Sequence, residues 1–211
     1  MDRDGVINSY VYHPDFGTVD SPSQPSQFSL VPGAAEAIAN LNRLGLLVVV
    51  VSNQPGVAKR KFSLNQLRAI THRMRGLVRT AGATIDHVSY CLHHPESVLP
   101  AYRKKCDCRK PQPGLLLGAA KRFKINLAES YMVGDGIVDI AAGHTAGVTT
   151  LFVSSLKTYV CEELVRQNVI PDFVVRDLFH ASEVIEGLET GNFALAEQCS
   201  FMNPTAVRNL L

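Results

Sequence analysis

Apolar positions along the chain switch between helical and strand-like spacing. Residues 34–44 place apolar side chains at helical intervals, and a second helical pattern starts at Ser63, a residue type that favours helix N-termini. Between them, the uninterrupted run LLVVVV at 46–51 is typical of a strand that is covered on both faces. The first third of the chain therefore predicts a helix, a buried strand and a helix in succession.

The same alternation continues to residue 175. We expect further strands at 85–91, 131–133, 149–153 and 173–175, and further helices at about 114–123, from about 137 and from about 158. Strands that alternate with helices predict an α/β fold with a doubly wound, mostly parallel sheet, Rossmann-like in type. We expect a single domain over residues 1–189 and a C-terminal tail over 190–211, where no period is visible.

Composition narrows the class of protein. The 211 residues are 46% hydrophobic and 19% charged, which indicates a folded chain. The net charge of +2, from 21 basic and 19 acidic residues, argues against nucleic acid as a partner. No apolar run is long enough to cross a membrane, and the N-terminal MDRDG lacks a signal pattern, so we expect a cytoplasmic protein without a membrane partner.

Two acidic motifs could carry chemistry. In Asp2-Arg3-Asp4-Gly5, one carboxylate could attack an electrophile while the other handles the proton, although this string is also common in surface turns. In the second motif, Asp135 follows a predicted strand, where a carboxylate can hold Mg²⁺ or cap the next helix. Asp139 lies one helical turn later, on the same side.

Two further strings suit an anion. Ser52 and Asn53 directly follow the buried strand, and a hydroxyl and backbone N–H groups at such a strand end can hold phosphate oxygens. Arg109 and Lys110 directly precede a predicted helix, whose N-terminus favours negative charge. The alternatives are a polar turn for the first pair and a solvated basic loop for the second.

A cysteine and histidine cluster gives the strongest local signal. Three of the five cysteines crowd into residues 91–108, and in a reducing compartment such crowding indicates a metal more often than disulfides. Cys91, His93, Cys106 and Cys108 form two closely spaced pairs, enough for a tetrahedral Zn²⁺ site. His94 is an alternative ligand with poorer spacing.

Taken together and in this order, the motifs resemble the haloacid dehalogenase superfamily of phosphotransferases. That family has D-x-D-G at the first strand, Ser or Thr at the second, a Lys before a helix and G-D-x-x-x-D at the fourth. The strings DRDGVIN, VVVVSNQPGVA, CLHHP, CDCRKPQPG and SYMVGD are similar to the D-glycero-D-manno-heptose 1,7-bisphosphate phosphatases and their histidinol-phosphatase relatives. That subgroup has no large cap domain and carries a zinc loop. The match spans about residues 2–180.

The resemblance implies a Mg²⁺-dependent phosphomonoester hydrolase that acts on a sugar bisphosphate through an aspartyl-phosphate. Asp2 would be the nucleophile, Asp4 the acid and base, and Lys110 the group that neutralises charge. Ser52 and the Asn53 backbone would contact phosphate, and Arg109 and Asn8 would contact the rest of the substrate. Asp2, the Asp4 carbonyl and Asp135 would bind magnesium, with support from Asp139. The zinc ligands would be Cys91, His93, Cys106 and Cys108. We expect a monomer with a phosphorylated sugar as its partner.

Two alternatives stay open. The same loop serves histidinol-phosphate phosphatases, so the substrate assignment depends on few residues, among them Arg109. Only Met1 precedes Asp2, where the family has an apolar strand of about four or five residues. This departure suggests either a start codon upstream of Met1 or a weakened or inactive, zinc-stapled homologue. Truncation of that strand predicts unpaired backbone groups on its neighbours and an unfilled slot in the core.

Overall fold

The computed structural model describes residues 1–154 and 158–192. Helices and strands alternate after an N-terminal hairpin. The strands are β1 (Val11–His13), β2 (Thr18–Asp20), β3 (Val49–Asn53), β4 (His87–Cys91), β5 (Tyr131–Gly134), β6 (Thr149–Val153) and β7 (Phe173–Val175), and the helices are α1 (Ala34–Arg43), α2 (Leu64–Thr80), α3 (Gly114–Phe123), α4 (Ile137–Ala146), α5 (Thr158–Arg166) and α6 (Leu178–Thr190).

The main strands form two parallel groups with helices on both faces. β3 pairs with β4, and β5, β6 and β7 pair in that order, while β1 and β2 form a separate antiparallel hairpin. Alternate strand residues belong to two apolar clusters: Val50 and Val133 pack with α1, α2 and α6, whereas Val51 and Met132 pack with α3 and α4. The predicted doubly wound, mostly parallel sheet is confirmed, and no cap-sized insertion interrupts it within the described residues.

Two residues stand where the family's first strand was expected. Met1 N donates to Val49 O and Met1 O accepts from Val51 N, both at 2.9 Å, and Asp2 N donates to Val133 O at 2.9 Å. Met1 and Asp2 thus join β3 to β5. A cavity of about 310 Å³ opens beside Met1 between these two strands, with α3 along one wall. We call this cavity the slot.

The predicted strand at 46–51 begins later than expected. β3 starts at Val49 and continues to Asn53. In the preceding residues, the Val48 N–H donates to the Asp86 carboxylate rather than to a strand, and Leu47 is 52% exposed. The apolar run is thus longer than the paired region, and its first residues, Leu46 and Leu47, line the slot.

The hairpin of β1 and β2 and the helix α6 were not predicted. α6 has a recognisable N-cap, since the Asp177 carboxylate accepts from the His180 backbone N–H, and its buried positions recur at helical spacing. Of the predicted tail, residues 190–192 are described and residues 193–211 lie outside the described ranges. Among the described residues, no helix is both long and apolar enough to cross a bilayer.

Candidate active site and metal-binding loop

Three chain segments bring the predicted polar residues to one edge of the sheet. Asp2 follows Met1, which pairs with β3. Ser52 and Asn53 lie at the end of β3, and Asp135 directly follows β5. The carboxyl ends of parallel strands meet at this edge, where ligands bind in open α/β sheets. Lys110 reaches the same edge from the long loop between β4 and α3.

The ammonium of Lys110 lies at the centre of the edge. Lys110 Nζ donates to Asp2 Oδ1 at 2.8 Å and to Val51 O at 2.7 Å, and it lies 2.5 Å from Asp139 Oδ1. Lys110 thus donates hydrogen bonds to Asp2 and Val51 and forms an ion pair with Asp139. Burial alone would lower the pKa of Lys110, but the adjacent charges of Asp139 and Asp2 hold it above its usual range. The site therefore keeps a fixed positive charge.

The pKa values of the two carboxylates beside Lys110 are shifted in opposite directions. Burial opposes ionisation of Asp2, but the charge and hydrogen bond of Lys110 outweigh it and lower the pKa of Asp2. Burial raises the pKa of Asp139 to about 6; Lys110 opposes this shift, and the charges of Asp2 and Asp135 add to it. Asp2 is thus the carboxylate that the site keeps ionised.

The acidic side chains can hold a hard cation. Asp2, Asp135 and Asp139 each offer one carboxylate oxygen, and these oxygens lie within 4.8 Å of one another. Anionic oxygens are the ligands that Mg²⁺ prefers. The Asp4 carbonyl lies close by: the Tyr10 hydroxyl is 3.3 Å from Asp4 O and 2.8 Å from Asp135 Oδ2. The chemistry of this donor set fits the predicted magnesium site, with Asp4 contributing its carbonyl.

The Asp4 carboxylate is held by three buried side chains. Its Oδ1 accepts from Arg3 Nε at 3.1 Å and from Asn8 Nδ2 at 3.0 Å, and its Oδ2 accepts from Arg3 Nη2 at 3.0 Å and from Gln54 Nε2 at 2.7 Å. Asn8 is fully buried, and its amide also donates to Ser9 O. The Asn8 amide nitrogen therefore holds Asp4, whereas its buried Oδ1 has no hydrogen-bond partner among the described residues, and a contact between Asn8 and substrate stays a prediction.

Sequence reasoning missed Arg3, Tyr10 and Gln54. Arg3 is fully buried and stands between the two motif acids, so a positive charge flanked by acids was a usable signal. Gln54 and Tyr10 carried no local signal, because their partners Asp4 and Asp135 lie 50 and 125 residues away in the sequence.

The two residues at the end of β3 are used differently. Ser52 is buried, and its Oγ accepts from Gln54 Nε2 at 3.2 Å. The Asn53 amide donates to Lys110 O at 3.0 Å and accepts from Lys110 N at 3.1 Å. Asn53 thus clamps the backbone of the lysine with its side chain, which leaves its own backbone for the predicted contact with phosphate.

The predicted zinc ligands come together in the loop between β4 and α3. The Sγ of Cys108 is 3.2 Å from the Sγ atoms of Cys91 and Cys106, and His93 Nδ1 is 3.4 Å from Cys108 and 3.8 Å from Cys91. Donors at about 2.3 Å from a tetrahedral zinc would lie about 3.8 Å apart. The ring of His94 is turned away and accepts from Glu96 N, so it does not belong to the cluster. The donor set fits a closed zinc site.

The metal cluster and the lysine are coupled through a short chain segment. Cys108 precedes Lys110 by two residues, and the intervening Arg109 donates from Nη1 to His93 O at 3.1 Å. Arg109 is thereby tied to a residue of the cluster, and both Arg109 and Lys110 depend on the loop for their positions.

Comparison with known proteins gives a consistent picture. A family model described as HAD-hydrolase-like matches residues 107–181. A D-glycero-beta-D-manno-heptose-1,7-bisphosphate 7-phosphatase from Vibrio cholerae is 41% identical over 150 residues, which cover 71% of this chain and 76% of that protein. The enzyme of the same description from Escherichia coli K12 is 38% identical over 150 residues, with 71% and 74% covered.

The solved structures that resemble this chain include phosphatases of the same kind. A crystal structure of D,D-heptose 1,7-bisphosphate phosphatase from B. bronchiseptica in complex with magnesium and phosphate has a TM-score of 0.72 and 30% identity, and the match covers 90% of this chain and 96% of that one. A crystal structure of a HAD-like phosphatase from Mesorhizobium loti has a TM-score of 0.65 and 37% identity, with 72% and 70% covered.

Proposed function

The chain belongs to the haloacid dehalogenase-like hydrolases and is a phosphatase, and we propose that it removes one phosphate from a heptose bisphosphate with the help of Mg²⁺. The observation that carries the proposal is the placement of Lys110 Nζ 2.8 Å from Asp2 Oδ1 and 2.5 Å from Asp139 Oδ1. A buried cation beside an ionised carboxylate lets that carboxylate approach an anionic phosphoryl group.

The chain's own residues would carry two steps. In the first, an Asp2 oxygen attacks phosphorus, the bond from phosphorus to the sugar oxygen breaks, and Asp4 gives its proton to the departing alkoxide. In the second, Asp4 takes a proton from water as the water oxygen attacks phosphorus, and the bond from phosphorus to Asp2 breaks. Lys110, Ser52 and the Asn53 backbone would stabilise the phosphoryl oxygens throughout.

We propose a catalytic role for Mg²⁺ and a structural role for zinc. Asp2, Asp135 and the Asp4 carbonyl, supported by Asp139, would hold Mg²⁺, and the bound ion would neutralise charge on the phosphoryl oxygens. Cys91, His93, Cys106 and Cys108 would hold zinc, and a site with four protein ligands leaves no position for water or substrate. Zinc would therefore order the loop that carries Arg109 and Lys110.

The heptose bisphosphate is proposed on two grounds. The relatives from Vibrio cholerae and Escherichia coli are named for that substrate and share more than a third of the aligned residues. Arg109 is a second cation, adjacent to Lys110 in the sequence, and offers a contact to the second phosphate of a doubly phosphorylated sugar. Histidinol phosphate, with a single phosphate, makes less use of Arg109 and is the alternative.

A substrate panel tests the proposal. Phosphate release from D-glycero-D-manno-heptose 1,7-bisphosphate and from histidinol phosphate is measured with and without added Mg²⁺. We expect a higher kcat/KM for the heptose bisphosphate and turnover only with Mg²⁺. Comparable or reversed values would remove the substrate assignment, and no turnover of any phosphomonoester would favour an inactive, zinc-stapled binding module.

A pair of loop variants sharpens the substrate test. Arg109 and Arg103 each donate to a backbone carbonyl of the same loop, at 3.1 Å to His93 O and at 2.6 Å to Ser97 O. We expect Arg109→Ala to raise KM for the bisphosphate more than KM for histidinol phosphate. Arg103→Ala, the matched control, is expected to leave the ratio of the two values unchanged.

A further inference from the structure

Tyr10 contacts two oxygen-bearing groups that would hold the cation. Its hydroxyl lies 2.8 Å from Asp135 Oδ2 and 3.3 Å from the Asp4 carbonyl oxygen. A turn brings Tyr10 back to the motif, since Gly5 N donates to Asn8 O at 2.8 Å and Ser9 N donates to Ser29 O at 3.1 Å. The tyrosine is therefore fixed over the acidic motif by the backbone on its N-terminal side.

Gly5 makes the close approach of Tyr10 and Asp135 possible. A Cβ atom at Gly5 would lie 2.2 Å from Asp135 Oδ2 and 2.7 Å from Tyr10 Cε2, far inside normal contact. Gly5 also has a φ angle of +80°, a backbone conformation that residues other than glycine rarely adopt. The motif glycine thus opens the space in which the tyrosine ring and the carboxylate meet.

The hydroxyl proton goes to the carboxylate. A hydroxyl has one proton to donate, and its shorter contact is with the charged Asp135 oxygen, where the hydrogen bond is stronger. A bond to Oδ2 fixes the orientation of the Asp135 carboxylate, which offers one oxygen to the cation site. Ligating carboxylates in metal sites are commonly held by such partners.

We propose that Tyr10 is a positioning residue for the cation site, which it serves by fixing the Asp135 carboxylate through the hydrogen bond to Oδ2. This inference rests on the proposed function, because it requires Asp135 to bind Mg²⁺. Tyr10 itself touches neither substrate nor metal in this role; it acts through Asp135.

The test compares two tyrosines of the same segment. Tyr10→Phe keeps the ring above Gly5 and removes only the donor, and Tyr12→Phe makes the same change two residues away, at a side chain that is 62% exposed. Each protein is titrated with MgCl₂ by isothermal titration calorimetry. We expect the Kd for Mg²⁺ to weaken about 10-fold or more in Tyr10→Phe, the usual cost of losing such a partner. Tyr12→Phe is expected to match the wild-type protein.

Kinetics separate positioning from a purely structural effect. In Tyr10→Phe, the Mg²⁺ concentration for half-maximal turnover should rise by the same factor, while kcat at saturating Mg²⁺ stays within about twofold of wild type, as expected for an interaction that serves metal binding alone. A structural defect would lower kcat and the melting temperature without a change in Mg²⁺ affinity. Circular dichroism and zinc content check that the variant is folded.

If Tyr10→Phe does not fold, 4-fluorophenylalanine at position 10 replaces it, since this residue has nearly the shape of tyrosine and no donor. A folded variant with unchanged Mg²⁺ affinity, or with kcat lost even at saturating Mg²⁺, overturns the inference. Failure of the proposed function has a different signature: the wild-type protein and Tyr12→Phe would themselves neither bind Mg²⁺ nor release phosphate. In that case the role of Tyr10 is rejected with it.

Discussion

Asp2 and Lys110 come within 2.8 Å of each other, but the regions of the chain that carry them are held in place differently. On the lysine side, Cys108 of the four-residue cluster lies two residues upstream, the Asn53 amide clamps the backbone at two points, and α3 begins four residues downstream. On the aspartate side, Met1 and Asp2 make three backbone hydrogen bonds beside an open slot. The lysine is thus held through a loop and a side-chain clamp, and the nucleophile through backbone hydrogen bonds to two strands.

The charges of the two regions also differ. Lys110 keeps its charge because two carboxylates face it. The amino group of Met1 lies nearby, but burial, with a contribution from Lys110, lowers its pKa to about 5. Burial thus opposes a charge on this amino group, whereas two carboxylates maintain the charge of Lys110.

The largest expected loss of activity comes from a substitution on the aspartate side. Asp2→Asn should lower phosphate release on the order of a thousandfold or more, because an amide cannot form the acyl-phosphate. Zinc content should stay at about one ion per chain, since the lysine side is untouched. Mass spectrometry must show that the asparagine has not deamidated. Wild-type turnover by an intact Asp2→Asn protein would contradict the covalent step.

The zinc ligands test the lysine side. Cys106→Ser should remove the metal and loosen residues 92–107, and a displacement of Lys110 by about 1 Å can cost roughly 100-fold in kcat/KM. The Mg²⁺ requirement should persist. Limited proteolysis and kinetics are measured together, and cleavage within the loop should appear as activity falls.

Two neighbouring histidines provide the control for this experiment. His93→Ala should lose zinc as Cys106→Ser does, whereas His94→Ala should retain it, because the His94 ring lies outside the cluster. A zinc-free variant that stays protease-resistant and fully active would show that the loop needs no metal to position Lys110. Lost activity with an ordered loop would point to a direct role of zinc.

The hydrogen bonds between the Asn53 side chain and the Lys110 backbone can be removed without changing the zinc ligands. Asn53→Ala removes two hydrogen bonds to the Lys110 backbone and should lower kcat about 10-fold, the equivalent of about 1.4 kcal/mol, with zinc retained. Asn42 makes the same pair of bonds to the backbone of Thr84, far from the site. Asn42→Ala should therefore leave kcat unchanged. Equal kinetic losses in both variants would mean that the clamp contributes only to general stability.

The smallest effect should come from strengthening the aspartate side. Four apolar residues placed ahead of Met1 would extend its strand into the slot and bury side chains between β3 and β5. We expect a gain of about 2–4 kcal/mol and, for a chain of this size, a melting temperature roughly 5–10 °C higher. An extension of glycine and serine is the control. Equal melting temperatures for the two extensions would show that the slot does not accept a strand.

Much of the fold could be predicted from the spacing of apolar residues. The strands 149–153 and 173–175 and the helix 114–123 coincide with the observed elements, because their patterns are set by burial on the faces of one sheet. β3 was misplaced by three residues, since an apolar run shows that a segment is buried but not where its neighbours begin to pair with it. The exposed hairpin of β1 and β2 lacked such a pattern.

The sequence by itself determined the chemistry of the two clusters, because the pairs Cys91/His93, Cys106/Cys108 and Asp135/Asp139 each place two ligand types within one short segment. Only the tertiary structure decided how these groups are held. It turned Asn8 inward to Asp4, put the Asn53 amide on the Lys110 backbone and brought the Tyr10 hydroxyl to Asp135. Hydrogen bonds across such sequence separations depend on where the strands and the loop bring their ends together, and that placement is a property of the packed sheet, which no local string encodes.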